Sequence, residues 1–510
     1  MRALLSTYDK TGIAVFARGL ADLGWDLVAS GGTASHLEAE GLEVTRVEAL
    51  TGFAEMLGHR VVTLHPAVHG GILARRDVAE DMADLDTHGI EPFDLVCVNL
   101  YPFEQTVAAL DVTHADAIEK IDVGGPTMLR AAAKNHADVL PLCRPEDYDI
   151  VLEELRRDGA VTRETRRKLA VGAFATTAAY DAAVATWLGG DAFPETLLPV
   201  FDRALELSYG ENPHQRAAYY TQRGARTHLL SRVEQRHGKP LSFNNLNDLS
   251  AARGLARALG DRSACVIVKH ANPCGVGVGG TIEEAYAKAL AADPVSAYGG
   301  VVVLTRGVSA TLGEALAEQF VEVLLAPAYN DAGLEALARK PAIRILEDRE
   351  RRAAKVEEVD YKRVPGGLLV QERDAAPADR EAMTVACGAF DEARWADVLF
   401  AWAVVRHVTS NAIVLARDGR TLGIGGGQVS RVDAVRLAVE KAREHGHSLA
   451  GATLASDAFF PFADGAQLAL DAGIAAIVQP GGSKRDAEVI AAVEAAGAAM
   501  VFTGRRHFRH

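Results

Sequence analysis

Short apolar runs alternate with helix-like stretches along almost the whole chain, and no other feature restricts the fold as strongly. In the first third, Arg2–Leu5, Trp25–Ala29 and Asp94–Val98 have the length and character of buried strands. Each is followed by a glycine or polar turn and then a helical pattern. Strands buried on both faces need helices above and below them, so the alternation implies an α/β unit built on a parallel sheet. A long helical stretch at about 163–188 closes this part, and Gly189-Gly190-Asp191-Ala192-Phe193-Pro194 reads as a linker. At ~100–200 residues per domain, 510 residues exceed one ordinary core. We therefore expect two domains, 1–195 and 196–510.

The second part alternates in the same way. Cys265–Val268 and Val301–Leu304 look like buried strands. Thr281-Ile282-Glu283-Glu284 has the spacing of a capping box and opens a helix toward Ala292. Helices are expected over Arg431–His445, Asp464–Ala472 and Asp486–Ala496, each ended by a glycine. Asp348–Pro377 is charged and weakly periodic, as a surface excursion would be.

Hydrophobic residues make up 49% and charged residues 24%, which fits a packed protein and excludes a disordered one. A net charge of −14 argues against general nucleic-acid binding, which needs clustered Lys and Arg, but leaves room for a small anion in a locally basic pocket. The five cysteines are scattered and show no metal-ligand spacing, so neither a zinc site nor a disulfide framework is expected, in keeping with a cytoplasmic protein. No stretch approaches the ~20 apolar residues of a membrane span, so no membrane partner is expected.

Several turns carry groups that suit anion binding or proton transfer. Ser30-Gly31-Gly32-Thr33 joins a strand to a helix, where small residues let N–H groups approach a phosphate, and Lys10 follows the first strand. A plain tight turn fits the same residues. Tyr101, in Asn99-Leu100-Tyr101-Pro102-Phe103, follows a strand end, where α/β sheets bind ligands, and an aromatic anchor is the alternative. Asp122-Val123-Gly124-Gly125-Pro126-Thr127 opens a helix carrying Arg130 and Lys134 on one face, either beside an anion or in solvent. Lys269-His270 leaves a very apolar strand, which favours proton transfer and oxyanion stabilisation over a solvated pair. Ser410-Asn411-Ala412-Ile413 precedes another apolar strand. Gly423–Arg431 is glycine-rich without a Walker A ending, and a flexible turn is favoured. The basic end, Arg505–His510, is either an exposed tail or a local anion site held by the strand-like Ala499–Phe502.

The ordered set SGGT, RVVTLHPAVHGGILARR, NLYPF, DVGGPTMLRAAAKNH, YGENPHQ, KHANPCG, SNAI, GIGGGQVSR, SDAFFPF and RHFRH resembles the bifunctional AICAR formyltransferase/IMP cyclohydrolase family of purine synthesis over essentially the whole chain. The resemblance implies a methylglyoxal-synthase-like parallel-sheet domain that closes formyl-AICAR to IMP. In it, Ser6, Lys10, Ser30, Gly31, Gly32, Thr33, Arg60, Thr63 and Gly124 would hold the nucleotide, and Tyr101, Asp122 and Lys134 would be catalytic. It also implies a cytidine-deaminase-like domain in two similar halves, without zinc, that formylates AICAR from 10-formyltetrahydrofolate. Lys269, His270 and Asn411 would be catalytic there, and Tyr209, Asn245, Gly299, Glu322, Arg431, Phe459, Asp464 and Arg506 would bind substrate. The reduced folate would be a co-substrate, with no tightly bound cofactor and no metal. A homodimer with formyltransferase sites across its interface is implied as well.

Three positions depart from the family pattern. Val62 replaces a lysine, Ser208 replaces an arginine that helps to hold AICAR, and Tyr298 stands where Phe is common. Two other readings follow from these: a formyltransferase with a decayed cyclohydrolase domain, or a nucleotide-binding regulatory protein on the same scaffold. Retention of Lys269, His270, Asn411, Asp122 and Lys134 argues against the second.

Overall fold

The computed structural model describes residues 1–510 apart from Glu55, His59, Leu110 and residues 352–358. It divides into two compact units, Met1–Val200 and Phe201–His510.

The first unit is built on five parallel strands, in the spatial order Thr45–Arg46, Asp26–Ala29, Arg2–Thr7, Leu95–Asn99 and Leu140–Leu142. The apolar runs of the sequence form the three central strands. Their successive side chains point to opposite faces, as the pleat requires. Leu4, Val28 and Val96 meet Val68, Ile72 and Met128 on one face, whereas Leu5, Leu27 and Leu95 meet Phe16, Leu20 and Val151 on the other. The strands after Arg2–Thr7 are added first on one side and then, from Leu95–Asn99, on the other, and this switch opens a crevice at the carboxyl ends of Arg2–Thr7 and Leu95–Asn99. The helix Arg163–Gly189 has 27 residues and is long and apolar enough to cross a membrane, contrary to the expectation from the sequence. Its Ala170 and Ala173 pack against Leu129, Ala133 and Cys143.

The second unit holds a twelve-stranded mixed sheet. Its first half runs from the helix Phe243–Ala258 through the hairpin Ser263–Lys269/Asn272–Gly279, the helix Ile282–Ala292 and the strand Gly300–Leu304. Two further helix–strand pairs end at Arg344–Asp348. The second half repeats this order from the helix Glu392–Val405, through the hairpin Ile413–Arg417/Arg420–Gly425 and the helix Arg431–Glu444, to the strand Ala499–Phe502. The halves meet where Asn272–Gly279 pairs antiparallel with Arg420–Gly425.

The glycine-rich stretch at 423–427 is therefore partly strand, not a flexible turn. A Cβ on Gly423 would lie 2.1 Å from the Ala438 carbonyl oxygen, and one on Gly425 would lie 2.0 Å from that of Ala434. Only glycine lets this strand approach the helix so closely, and Gly275 and Gly277 do the same in the first half. Thr281 caps its helix by accepting from Glu284 N at 3.2 Å, but the reciprocal half of the expected box is missing. Glu284 instead accepts from Gly280 N and pairs with Lys288. In the charged segment after Asp348, a two-stranded hairpin covers Val359–Val364 and Gly367–Glu372, and residues 352–358 lie outside the described residues. The basic C-terminus is held in place. His507 is buried, its N–H donates to the Asp457 carbonyl at 2.9 Å, and its ring lies 5.1 Å from that of Trp402.

Candidate functional site

In the first unit, a cavity of about 760 Å³ lies at the carboxyl ends of the central strands. Ser6, Lys10, Ser30, Gly31, Gly32, Thr33, Arg60, Thr63, Tyr101, Asp122 and Gly124 all line it. Residues scattered over more than a hundred positions converge: most stand at or after a strand end or open a helix, and Arg60 and Thr63 come from the loop before the helix Pro66–Leu73.

Its polar end is built by the turn into the helix Gly31–Ala39. Ser6 Oγ and Ser30 Oγ are 2.7 Å apart. Lys10 Nζ donates to Thr33 Oγ1 at 3.1 Å and to the Thr7 carbonyl, and Thr33 Oγ1 donates to that same carbonyl at 3.0 Å. Burial lowers the Lys10 pKa from its ordinary value. A Cβ on Gly31 or Gly32 would meet nothing within 4 Å, so the first N–H groups of this helix border open space. A helix N-terminus beside an ammonium group is suited to an anion.

At the other end, Asp122 Oδ1 accepts from Gly125 N at 2.8 Å. A Cβ on Gly125 would lie 2.5 Å from Asp122 Oδ2, so glycine is needed for this turn to close. The Asp122 N–H donates to Tyr180 Oη at 2.7 Å, and that hydroxyl donates to the Lys120 carbonyl at 3.0 Å. Burial raises the Asp122 carboxyl pKa, partly offset by the Gly125 and Tyr101 backbone N–H groups. Burial, and then the charge of Asp122, raises the Tyr101 phenol as well, so Tyr101 is a hydrogen-bond donor at neutral pH. The Lys120 ammonium lies 5.9 Å from the centre of the Tyr101 ring. On the rim, Arg60 pairs with Glu119, with Nε 3.2 Å from Oε2. Val62 lines the cavity and packs on the core, so it contributes no charge where the family pattern has lysine.

Lys134 ends the helix Gly124–Lys134, of which Gly124, Gly125 and Met128 line the cavity, and it is not itself a lining residue. Arg130, on the same helix, lies 5.6 Å from the centre of the Phe174 ring.

In the second unit, several separate hydrogen-bonded groups hold most of the residues singled out by sequence. Lys269 ends its strand and donates through Nζ to the Tyr298 carbonyl at 2.9 Å. Next to Tyr298, Gly299 has φ +73° and donates to the Phe320 carbonyl at 2.7 Å. Glu322 accepts from Arg344 Nη1 at 2.9 Å and from Asn245 Nδ2 at 3.5 Å. The Tyr209 carbonyl accepts from Phe243 N at 3.1 Å, at the start of the helix that carries Asn245. Ser208 is exposed, and its N–H and hydroxyl both donate to the Leu241 carbonyl, at 3.0 and 3.2 Å.

Asn411 sits between two partners. Its Nδ2 donates to the Gln428 carbonyl at 2.9 Å, and its Oδ1 accepts from Arg431 Nη2 at 2.7 Å. Arg431, expected to bind substrate, is buried and engaged internally. Its guanidinium pairs with the fully buried Asp457 and donates to the Ala412 carbonyl at 3.1 Å. Asp457 also accepts from Ser410 Oγ at 2.5 Å and from Ala412 N at 3.1 Å. Phe459, Asp464 and Arg506 are exposed, and among the described residues no hydrogen bond ties their side chains to this network. Asp457 lies in the SDAFFPF motif, but nothing in its neighbours in sequence tells that it pairs with Arg431.

Two family models match the chain. A family model described as AICARFT/IMPCHase bienzyme matches residues 132–441, and one described as MGS-like domain matches residues 12–127. Among solved structures, the chain is similar to the crystal structure of ForH, with 42% identity over 37% of this chain and 99% of that one, at a TM-score of 0.34.

Proposed function

The chain belongs to the AICARFT/IMPCHase bienzyme family, and from that premise we propose that its two reactions are divided between the cavity of the first unit and the polar network of the second. The protein is an enzyme of purine synthesis that transfers a formyl group from formyl-folate to AICAR and closes formyl-AICAR to IMP.

Ring closure belongs to the first unit in this reading, and the observation that carries it is the cavity that gathers eleven of the twelve residues expected there. The nucleotide phosphate is bound at the turn Ser30–Thr33 beside Lys10. The carboxamide nitrogen attacks the formyl carbon, and negative charge develops on the formyl oxygen. Tyr101, a protonated donor, stabilises that charge. Asp122 accepts the proton leaving that nitrogen and returns it to the oxyanion; the resulting hydroxyl then leaves as water with the proton of the former formamide N–H, as the ring becomes aromatic. The resemblance assigns a catalytic role to Lys134 as well, at the end of the helix that borders the cavity.

Formyl transfer belongs to the second unit. The amine of AICAR attacks the formyl carbon of 10-formyltetrahydrofolate, His270 takes the amine proton, and Lys269 stabilises the tetrahedral oxyanion. His270 returns that proton to N10 as the bond from carbon to N10 breaks, and tetrahydrofolate leaves. Asn411, held by Arg431 and Gln428, orients the substrate. Tyr209, Asn245, Gly299 and Glu322 border the same region, whereas Arg431 supports Asn411 from behind. The resemblance further supports a cytoplasmic homodimer that acts on small molecules, with neither a tightly bound cofactor nor a metal. The net charge of −14 speaks against a nucleic-acid partner, and the small-molecule chemistry of the family speaks against a membrane one.

The test is a pair of variants. His270→Ala should lose formyl transfer by about 10²–10⁴-fold, the usual worth of acid–base assistance, and keep ring closure. Asp122→Asn should do the reverse. Equal damage to both activities in either folded variant would overturn the division.

A further inference from the structure

The turn that carries His270 has a conformation its residues do not favour. Ser263–Lys269 and Asn272–Gly279 form a hairpin in which Lys269 pairs with Asn272, leaving His270 and Ala271 as a two-residue connection. Both have positive φ, +52° and +59°. Positive φ at both central residues is the signature of a type I′ turn, which is normally filled by Asn-Gly, Asp-Gly or Gly-Gly because a Cβ disfavours this region. The second half of the unit provides an internal comparison. Its hairpin turns through Asp418 and Gly419, with φ +55° and +67°, so the favoured Asp-Gly sequence occupies the matching position.

The unfavourable turn is clamped from outside. Asp248, on the helix Phe243–Ala258, accepts from Ala271 N at 2.7 Å and from His270 N at 3.2 Å. At the matching place in the second half, Asp397 accepts from Gly419 N at 3.4 Å. The same device is present twice, and it grips more closely where glycine is missing. On the opposite side, Asn272 Nδ2 donates to the His270 carbonyl at 3.2 Å, while Asn272 Oδ1 accepts from Thr409 N at 2.8 Å. Thr409 lies two residues before Asn411. The turn is thus tied to both ends of the polar network.

We propose that Asp248 is a positioning residue for formyl transfer: its carboxylate holds His270 and Ala271 in the left-handed turn and so aims the imidazole at the substrate amine. The inference rests on the assignment of His270 as proton acceptor. Without the carboxylate, the turn relaxes toward negative φ, and the ring moves with its backbone. A displacement of about 1 Å at a reacting group can cost ~10²-fold in rate.

The experiment measures formyl transfer and ring closure on the full chain for five variants. Asp248→Ala should lower the formyl-transfer kcat by about 10²-fold, with the AICAR KM changed by no more than about threefold and ring closure unchanged. Ala271→Gly added to Asp248→Ala removes the Cβ that opposes the turn, and should restore about tenfold of the lost kcat. Asp248→Asn, which retains one acceptor oxygen, should fall between Asp248→Ala and the parent. Asp397→Ala should leave formyl transfer unchanged. His270→Ala separates the two claims: if it retains formyl transfer, the assignment of His270 fails. If His270→Ala is inactive while Asp248→Ala keeps the parental kcat, the positioning inference alone fails. Loss in Asp248→Ala without recovery in the double variant would also overturn it, since general unfolding would not respond to Ala271→Gly.

Discussion

Replacing Asp457 by Asn tests how the second unit is held together around Asn411. Asp457 is fully buried, and Arg431 is 8% exposed. The variant leaves the shape nearly unchanged but strands a guanidinium in the core without a counter-charge. Removing one partner of a buried pair costs about 3–5 kcal/mol, mostly from the charge left behind. The bonds from Ser410 Oγ and Ala412 N belong to the same cluster, so their loss is contained in that figure rather than added to it. Urea unfolding can be followed through the fluorescence of Trp402, which packs against His507, in a background with Trp25, Trp187 and Trp395 replaced by Phe. Asp457→Asn should destabilise the second unit by about 3–5 kcal/mol and impair formyl transfer through Asn411, while ring closure persists. The double variant Asp457→Leu/Arg431→Met removes both charges, and should recover much of the stability but not the formyl transfer. A loss below about 1 kcal/mol in the single variant would refute the reasoning, since that is what an exposed pair would give.

Two further outcomes follow from particular residues. His407 has its pKa pushed down to about 3 by burial, then by the charges of Arg406 and Arg509, whereas its ordinary value is 6.5. Between those values the unfolded chain binds a proton that the folded one does not, so stability should fall as pH drops below 6.5, by up to about 1.4 kcal/mol per pH unit. His407→Gln should flatten that limb in acid unfolding curves, and an unchanged slope would contradict it. Ser208→Arg should tighten AICAR binding at low salt. A hydrogen bond to a charged group contributes ~1.5–3 kcal/mol, or about 10- to 100-fold, and the gain should shrink as salt rises. Calorimetric titration with AICAR at two salt concentrations measures it, and an unchanged affinity would place Ser208 away from the bound anion.

Much of this was legible in the sequence, for identifiable reasons. Arg2–Thr7, Asp26–Ala29 and Leu95–Asn99 are buried on both faces, so they carry continuous apolar runs. Many of the cavity residues, such as Lys10, Ser30 and Tyr101, follow those strands in the chain and inherit their location. Asn272–Gly279 and Arg420–Gly425 were hidden because their glycines serve close helix packing, which local sequence cannot distinguish from a turn. Lys134 shows a different limit. Its spacing from Arg130 indicates a shared helix face, but not how far along the helix the cavity reaches. Asp248 and Asp457 have no local signature, since their partners lie 22 to 47 residues away in the chain.

The bifunctional assignment meets its most direct test in the products formed by the unmodified protein from AICAR and 10-formyltetrahydrofolate, followed by chromatography over time. Val62 makes this informative, because the cavity lacks the cation that the family pattern puts at that position. With Lys10, Tyr101 and Asp122 all lining the cavity, IMP should accumulate, with formyl-AICAR only as a transient. Formyl-AICAR that persists, or reaches IMP no faster than without protein, would contradict the account.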